Sequence, residues 1–155
     1  MKKNIFSLLI LTILLTAPGS VQAQNDVALG GELINPVGLS YKFGISDNSA
    51  ITGALGLILE EGNTFVAFEM NYLSYRNPES INIKSGHLSP YFGVGLSVGA
   101  SPDSEESLSI RIPLGLEYTI DDTPFELYMD IGPFITVTDP QGFTFDSALG
   151  FRYRF

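Results

Sequence analysis

Phe143-Thr144-Phe145-Asp146-Ser147-Ala148-Leu149-Gly150-Phe151-Arg152-Tyr153-Arg154-Phe155 closes the 155-residue chain and decides how the rest is read. Phe143, Phe145, Leu149, Phe151, Tyr153 and Phe155 fall on one parity with Ser147. Thr144, Asp146, Ala148, Gly150, Arg152 and Arg154 fall on the other. A period of two over so many residues is the signature of a β-strand whose faces meet different surroundings.

The same split recurs upstream. Leu108, Ile110, Ile112, Leu114, Leu116, Tyr118 and Ile120 oppose Ser109, Arg111, Pro113, Gly115, Glu117 and Thr119. Phe125, Leu127, Met129, Ile131, Ile135 and Val137 oppose Glu126, Tyr128, Asp130, Gly132 and Thr136. Leu88, Phe92, Val94, Leu96 and Val98 oppose Ser89, Tyr91, Gly93, Gly95 and Ser97, and Val37 to Ile45 alternates likewise. The pattern predicts eight strands, near 27–34, 37–45, 50–59, 65–75, 88–99, 107–120, 125–137 and 143–155. Turn chemistry separates them at Asn35-Pro36, Ser46-Asp47-Asn48, Glu60-Glu61-Gly62-Asn63, Ser101-Pro102-Asp103, Asp121-Asp122-Thr123-Pro124 and Asp139-Pro140-Gln141-Gly142. Asn35-Pro36 reads as a turn or as a kink in one long strand, and an even strand count favours the turn. The longest link, Arg76 to His87, has room for a short strand around Ile81 to Lys84.

Ahead of the strands lies an export leader. Lys2 and Lys3 form a basic start, Ile5 to Leu15 an apolar run, Pro18-Gly19 a break and Val21-Gln22-Ala23 a cleavage site. Residues 1–23 are expected to be removed, leaving one domain at 24–155. Without Lys2 and Lys3, 6 basic residues face 17 acidic ones, a mature charge of −11 that excludes nucleic acid as a partner. The chain has no Cys, hence no disulfide, thiolate site or lipidated N-terminal cysteine, and its single His leaves little for a transition metal.

Packing decides which face is outside. Eight strands enclose a space that side chains just fill. Leu, Ile and Phe at every inward position would overfill it, whereas Gly, Ala, Ser and Thr with a few charges fit. The apolar parity therefore faces outward, as it does in a barrel whose strands cross a bilayer. The expected fold is all-β, an eight-stranded antiparallel transmembrane barrel with both termini periplasmic; a secreted soluble barrel or sandwich is the competing reading.

Gly150, Tyr153 and Phe155 resemble the C-terminal insertion signal of bacterial outer-membrane proteins, with Ala148 standing where a polar residue is usual. Pro36 to Phe43, Arg111 to Tyr118, Asp121 to Pro133 and Gly150 to Phe155 together resemble a family of small, largely uncharacterised bacterial outer-membrane β-barrel proteins. The resemblance implies an eight-stranded barrel of the OmpA/OmpX kind without a peptidoglycan-binding domain. It implies an outer-membrane location in a Gram-negative bacterium, and outer-membrane lipid, periplasmic chaperones and the barrel-assembly machinery as partners. It implies no reaction.

Alternation points Glu32, Glu69, Glu117, Glu126, Asp130 and Asp146 inward, with Lys42, Arg111, Arg152 and Arg154. Charges in so narrow a lumen must pair. Ion pairs plugging the barrel and a narrow ion path are both compatible with this set. A tight turn over Asp139 to Gly142 would set Thr136 opposite Thr144 and Glu126 opposite Arg154. His87-Leu88-Ser89 has the His-x-Ser spacing of outer-membrane lipid A deacylases, but no matching acid is identifiable. Tyr41, Phe43, Tyr72, Phe92, Tyr118, Phe125, Phe143, Phe145, Tyr153 and Phe155 fit interfacial girdles. Asp103-Ser104-Glu105-Glu106 lacks a calcium-loop pattern and reads as a solvated loop. The expected role is structural or surface-interacting, without catalysis or cofactor. The alternatives are a narrow passive pore and, third, a lipid A-modifying enzyme.

Overall fold

The computed structural model of the chain describes residues 27–60, 63–76, 81–101, 104–138 and 141–155. The leader and its cleavage site lie outside these residues, as do the centres of the turns at 61–62, 102–103 and 139–140. The described strands are β1 (Val27–Ile34), β2 (Val37–Ser46), β3 (Ser49–Glu60), β4 (Asn63–Tyr75), β5 (Ile81–Ile83), β6 (Gly86–Ser101), β7 (Ser104–Arg111), β8 (Leu114–Ile120), β9 (Phe125–Thr136) and β10 (Gly142–Arg154).

They form one antiparallel sheet that closes on itself, because β10 pairs with β9 on one side and β1 on the other. β7 and β8 are a single crossing. Arg111 lies opposite Gly95 of β6 and Phe134 of β9, and Leu114 lies opposite Phe92 and Ile131, so both registers continue across the interruption. Pro113 has no N–H to donate there, yet its carbonyl still accepts from Gly93 N at 2.9 Å, and Ile112 N reaches Pro133 O at 3.0 Å. Eight crossings result, with β5 hairpinned onto the start of β6 where the sequence predicts a short extra strand. Asn35-Pro36 is a turn: Glu32 and Gly38 on either side of it pair antiparallel.

Val27 and Phe155 meet at one end, where Phe155 N donates to Val27 O at 2.9 Å. The turns around Asp47 and Asp122 lie at this terminal end. Asp122 adopts φ 56°, a left-handed conformation that a short acidic side chain tolerates. The turns at Asn35-Pro36 and after Thr136 lie at the opposite end.

The outward parity is apolar, with Leu39 69% and Phe143 65% exposed, while the inward parity holds Arg111 at 2% and Glu126 at 0%. Small inward residues leave room for large ones across the ladder. Gly150 faces Tyr128 and Gly115 faces Tyr91, and a Cβ on either glycine would meet the tyrosine ring carbon Cζ within 2.5 Å. Each ring thus lies over a vacant Cβ position.

The register of the last hairpin corrects the sequence reading. Thr136 pairs with Gly142, not Thr144, and Thr144 pairs with Phe134. The link is shorter by two residues than a turn over Asp139 to Gly142 requires. Phe143 consequently joins the ladder opposite Ile135, an apolar pair on the outer face. A shift of two preserves every in–out assignment and changes every partner.

Candidate functional site

The lumen holds two charged clusters at different heights. Nearer the terminal end, four strands contribute one charge each: Lys42 (β2), Glu117 (β8), Glu126 (β9) and Arg152 (β10). Lys42 Nζ donates to Glu117 Oε1 at 2.6 Å and to Glu126 Oε2 at 3.3 Å. Arg152 Nη1 lies 3.3 Å from Glu126 Oε1 and 3.5 Å from Glu117 Oε2. Two cations and two carboxylates alternate in a ring, so the buried charge cancels. Such neutralisation is required where water is scarce.

Neutral groups satisfy the remaining lone pairs. Tyr75 Oη donates to Glu117 Oε2 at 2.9 Å, and Arg152 Nε donates to Ser40 Oγ at 3.0 Å. Tyr128 Oη donates to Glu32 Oε2 at 2.7 Å and also lies 2.7 Å from Ser40 Oγ. The Arg152 guanidinium sits 3.8 Å from the centre of the Tyr128 ring, a cation–π contact in a desolvated setting.

The second cluster is built on Arg111. Its Nη2 donates to Asp130 Oδ1 at 2.6 Å and its Nε to Asp146 Oδ2 at 3.0 Å, while Nη1 stands 3.7 Å from Glu69 Oε2. Tyr91 Oη donates to Asp130 Oδ2 at 2.8 Å. One guanidinium serves three carboxylates here, so the balance is acidic.

Eight of the ten inward charges read from the sequence are thereby brought together: Lys42, Glu69, Arg111, Glu117, Glu126, Asp130, Asp146 and Arg152. Two are placed differently. Glu32 meets Tyr128, and its Oε1 is buried with no hydrogen-bond partner. Arg154 lies at the terminal rim, where Nη2 donates to Thr123 O at 3.1 Å. The expected Glu126–Arg154 pair is therefore replaced by Glu126–Arg152, the consequence of the two-residue register shift. Tyr75, Tyr91 and Tyr128 were not foreseen as lumen partners. Their signal was inward parity, reinforced for Tyr91 and Tyr128 by a glycine across the ladder.

Polar cavities approach these clusters from both ends. One of about 210 Å³ at the terminal end is lined by Lys42, Tyr75, Glu117, Glu126, His87 and Ser89 among others. Another of about 200 Å³ at the opposite end reaches Glu69 and Asp146. His87 Nε2 lies 3.1 Å from Asp121 Oδ1, so the fold supplies the acid that sequence spacing did not reveal. Among the described residues no group of three or more His, Cys, Asp or Glu is placed to hold a metal ion.

Of the C-terminal residues, Gly150 points inward beneath Tyr128, and Tyr153 and Phe155 point outward. The Tyr153 ring packs edge-on against Phe125 and Phe155, at 5.4 and 5.0 Å between centroids.

Neither a protein-family model nor a curated protein matches the chain. Among solved structures, the chain is similar to the N-terminal β-barrel domain of Pseudomonas aeruginosa OprF, with a TM-score of 0.60 over 86% of this chain and 100% of that one. The fold is that of a small closed β-barrel. At 16% identity the likeness concerns the path of the backbone and not the lumen residues. The attachment invasion locus protein Ail of Yersinia pestis is 18% identical over 84% of this chain and 94% of its own, with a TM-score of 0.41, too loose to bear on the fold.

Proposed function

We propose that the chain is an integral outer-membrane barrel of a Gram-negative bacterium, exported with loss of residues 1–23, whose lumen is closed by ion pairs and whose role is structural or surface-interacting rather than catalytic. The observation that carries this is the outer face. Leu29, Leu39, Leu55, Phe92, Leu114, Met129 and Phe151 on seven different crossings are each more than 40% exposed, as are their apolar neighbours of the same parity. Water would not support so continuous an apolar band on a monomer. Hydrocarbon would, and closure satisfies the backbone within it. The termini then face the periplasm, and Gly150, Tyr153 and Phe155 are the residues offered to the assembly machinery.

The filled lumen supports a passive structural part, because Arg111, Glu69 and Glu126 are almost wholly buried. A narrow pore is the second reading, favoured by the two cavities that enter from opposite ends. Planar-bilayer recording on the purified protein separates them. Silence supports the plugged barrel, and discrete conductance steps lost on blocking the lumen support the pore. Failure of the protein to enter lipid vesicles, judged by protease access and flotation, would remove both.

A further inference from the structure

The barrel wall is not equally tall all round. β1 ends at Ile34, opposite Leu149, and β2 begins at Val37, opposite Leu57. Above those pairs, Gly142–Ala148 of β10 has a ladder partner only in β9, and Ile58–Glu60 of β3 only in β4. Between the two edges, with the Asn35-Pro36 turn as its sill, the wall has a notch. Three strand spacings separate β10 from β3, roughly 14 Å along the wall.

The cavity at this end passes through the notch. Its lining includes Phe145, which faces outward at 64% exposure, together with the inward carboxylates Glu69 and Asp146. Ile58 and Phe134 form apolar walls, and Asn35 and Thr144 stand at the mouth. The apolar band reaches the notch on both flanks, through Leu55, Leu57 and Leu59 on one and Phe143 and Phe145 on the other. A ligand entering sideways from a bilayer would meet hydrocarbon-like walls first and acid last.

Charge identifies its head group. Arg111 is divided among Glu69, Asp130 and Asp146, and the Glu69 contact, at 3.7 Å, is beyond hydrogen-bond reach although Glu69 is 98% buried. A buried carboxylate so weakly served leaves a place for a cation. Apolar walls and a lateral mouth fit an organic cation with a chain better than a bare ion. We infer that the notch is a lateral binding site for an amphiphile with a primary ammonium head, the head between Glu69 and Asp146 and the chain leaving past Phe145. The inference rests on the bilayer reading above.

The test uses the mature protein in phosphatidylcholine nanodiscs, titrated with octylammonium, octanol or ammonium chloride and followed by the amide resonances of Asn35 and Thr144. Octylammonium should shift both resonances saturably, at a concentration at least tenfold below that of octanol. Asp146→Asn should weaken it at least fivefold. Thr144→Leu, which fills the mouth without touching the Arg111 cluster, should abolish it, and decides the matter if Asp146→Asn does not fold. Equal responses to octanol and octylammonium would reduce the effect to partitioning and overturn the site. So would a response reproduced by ammonium chloride, or one unchanged in Thr144→Leu. A protein that never enters the discs overturns the bilayer reading and the site with it; one that enters and binds nothing overturns the site alone.

Discussion

Arg152 stands directly across the β9–β10 ladder from Glu126, with Nη1 3.3 Å from Oε1, and Lys42 approaches the other oxygen of the same carboxylate at 3.3 Å. Glu126 is completely buried, so both of its contacts are made away from solvent. Removing one partner from such an arrangement strands a charge, which costs about 3–5 kcal/mol. Arg152→Ala and Glu126→Ala are each expected to lower the unfolding free energy by that order, and the double variant by less than the sum. Urea titration in lipid vesicles checks this. Additive losses would show that the two side chains do not share the bond.

Arg111→Met should be at least as damaging, because three carboxylates lose their common cation; a loss of about 3–5 kcal/mol is expected. Arg111→Lys should recover only part of it, since a point charge cannot bond Asp130 and Asp146 through separate nitrogens as the guanidinium does. The order wild type, Lys, Met in urea midpoint is the expected result. A lysine variant equal to wild type would mean that charge alone matters.

Gly150→Val places side-chain carbon where the Tyr128 ring already lies. Overpacking of this kind typically costs about 1–3 kcal/mol. Tyr128→Ala vacates that space but leaves Glu32 without its donor and Arg152 without the ring beneath it. Gly150→Val combined with Tyr128→Ala should therefore be less destabilised than the two single losses added together. Heat-modifiable electrophoretic mobility gives the ranking, and a fully additive double variant would contradict the size-complementary packing.

Deleting Phe155 removes the ring stacked on Tyr153 and the terminal aromatic of the proposed insertion signal. Membrane yield is expected to fall more than the stability of whatever folds. Unchanged yield in the envelope fraction would assign Phe155 to packing alone.

The barrel was legible because alternation is a local property. Each strand states its two faces without reference to its neighbours, and closure follows from the count. Partnerships are not local. Glu126 carries no mark that distinguishes Arg152 from Arg154, since both share its parity; the length of the link after Thr136 decides, and its turn residues admitted two registers. His87 and Asp121 are joined only because Asp121 N bonds Ser85 O at 3.0 Å and brings that turn beside β6. The tyrosines of the lumen were visible as inward residues, yet their roles depend on which carboxylate the opposite strand delivers.

The two charged clusters are assembled from distant parts of the chain. Lys42 finds Glu117 75 residues away, and Arg152 finds Ser40 across 112. No single hairpin contains a neutral set, since Lys42 lies in β2 while its carboxylates lie in β8 and β9, and Arg111 draws on β4, β9 and β10. A hairpin entering hydrocarbon by itself would carry bare charge with it. Insertion and closure are thus coupled by electrostatics: the early strands have to wait at the water interface until the last ones arrive, and the barrel enters the membrane as one cooperative unit.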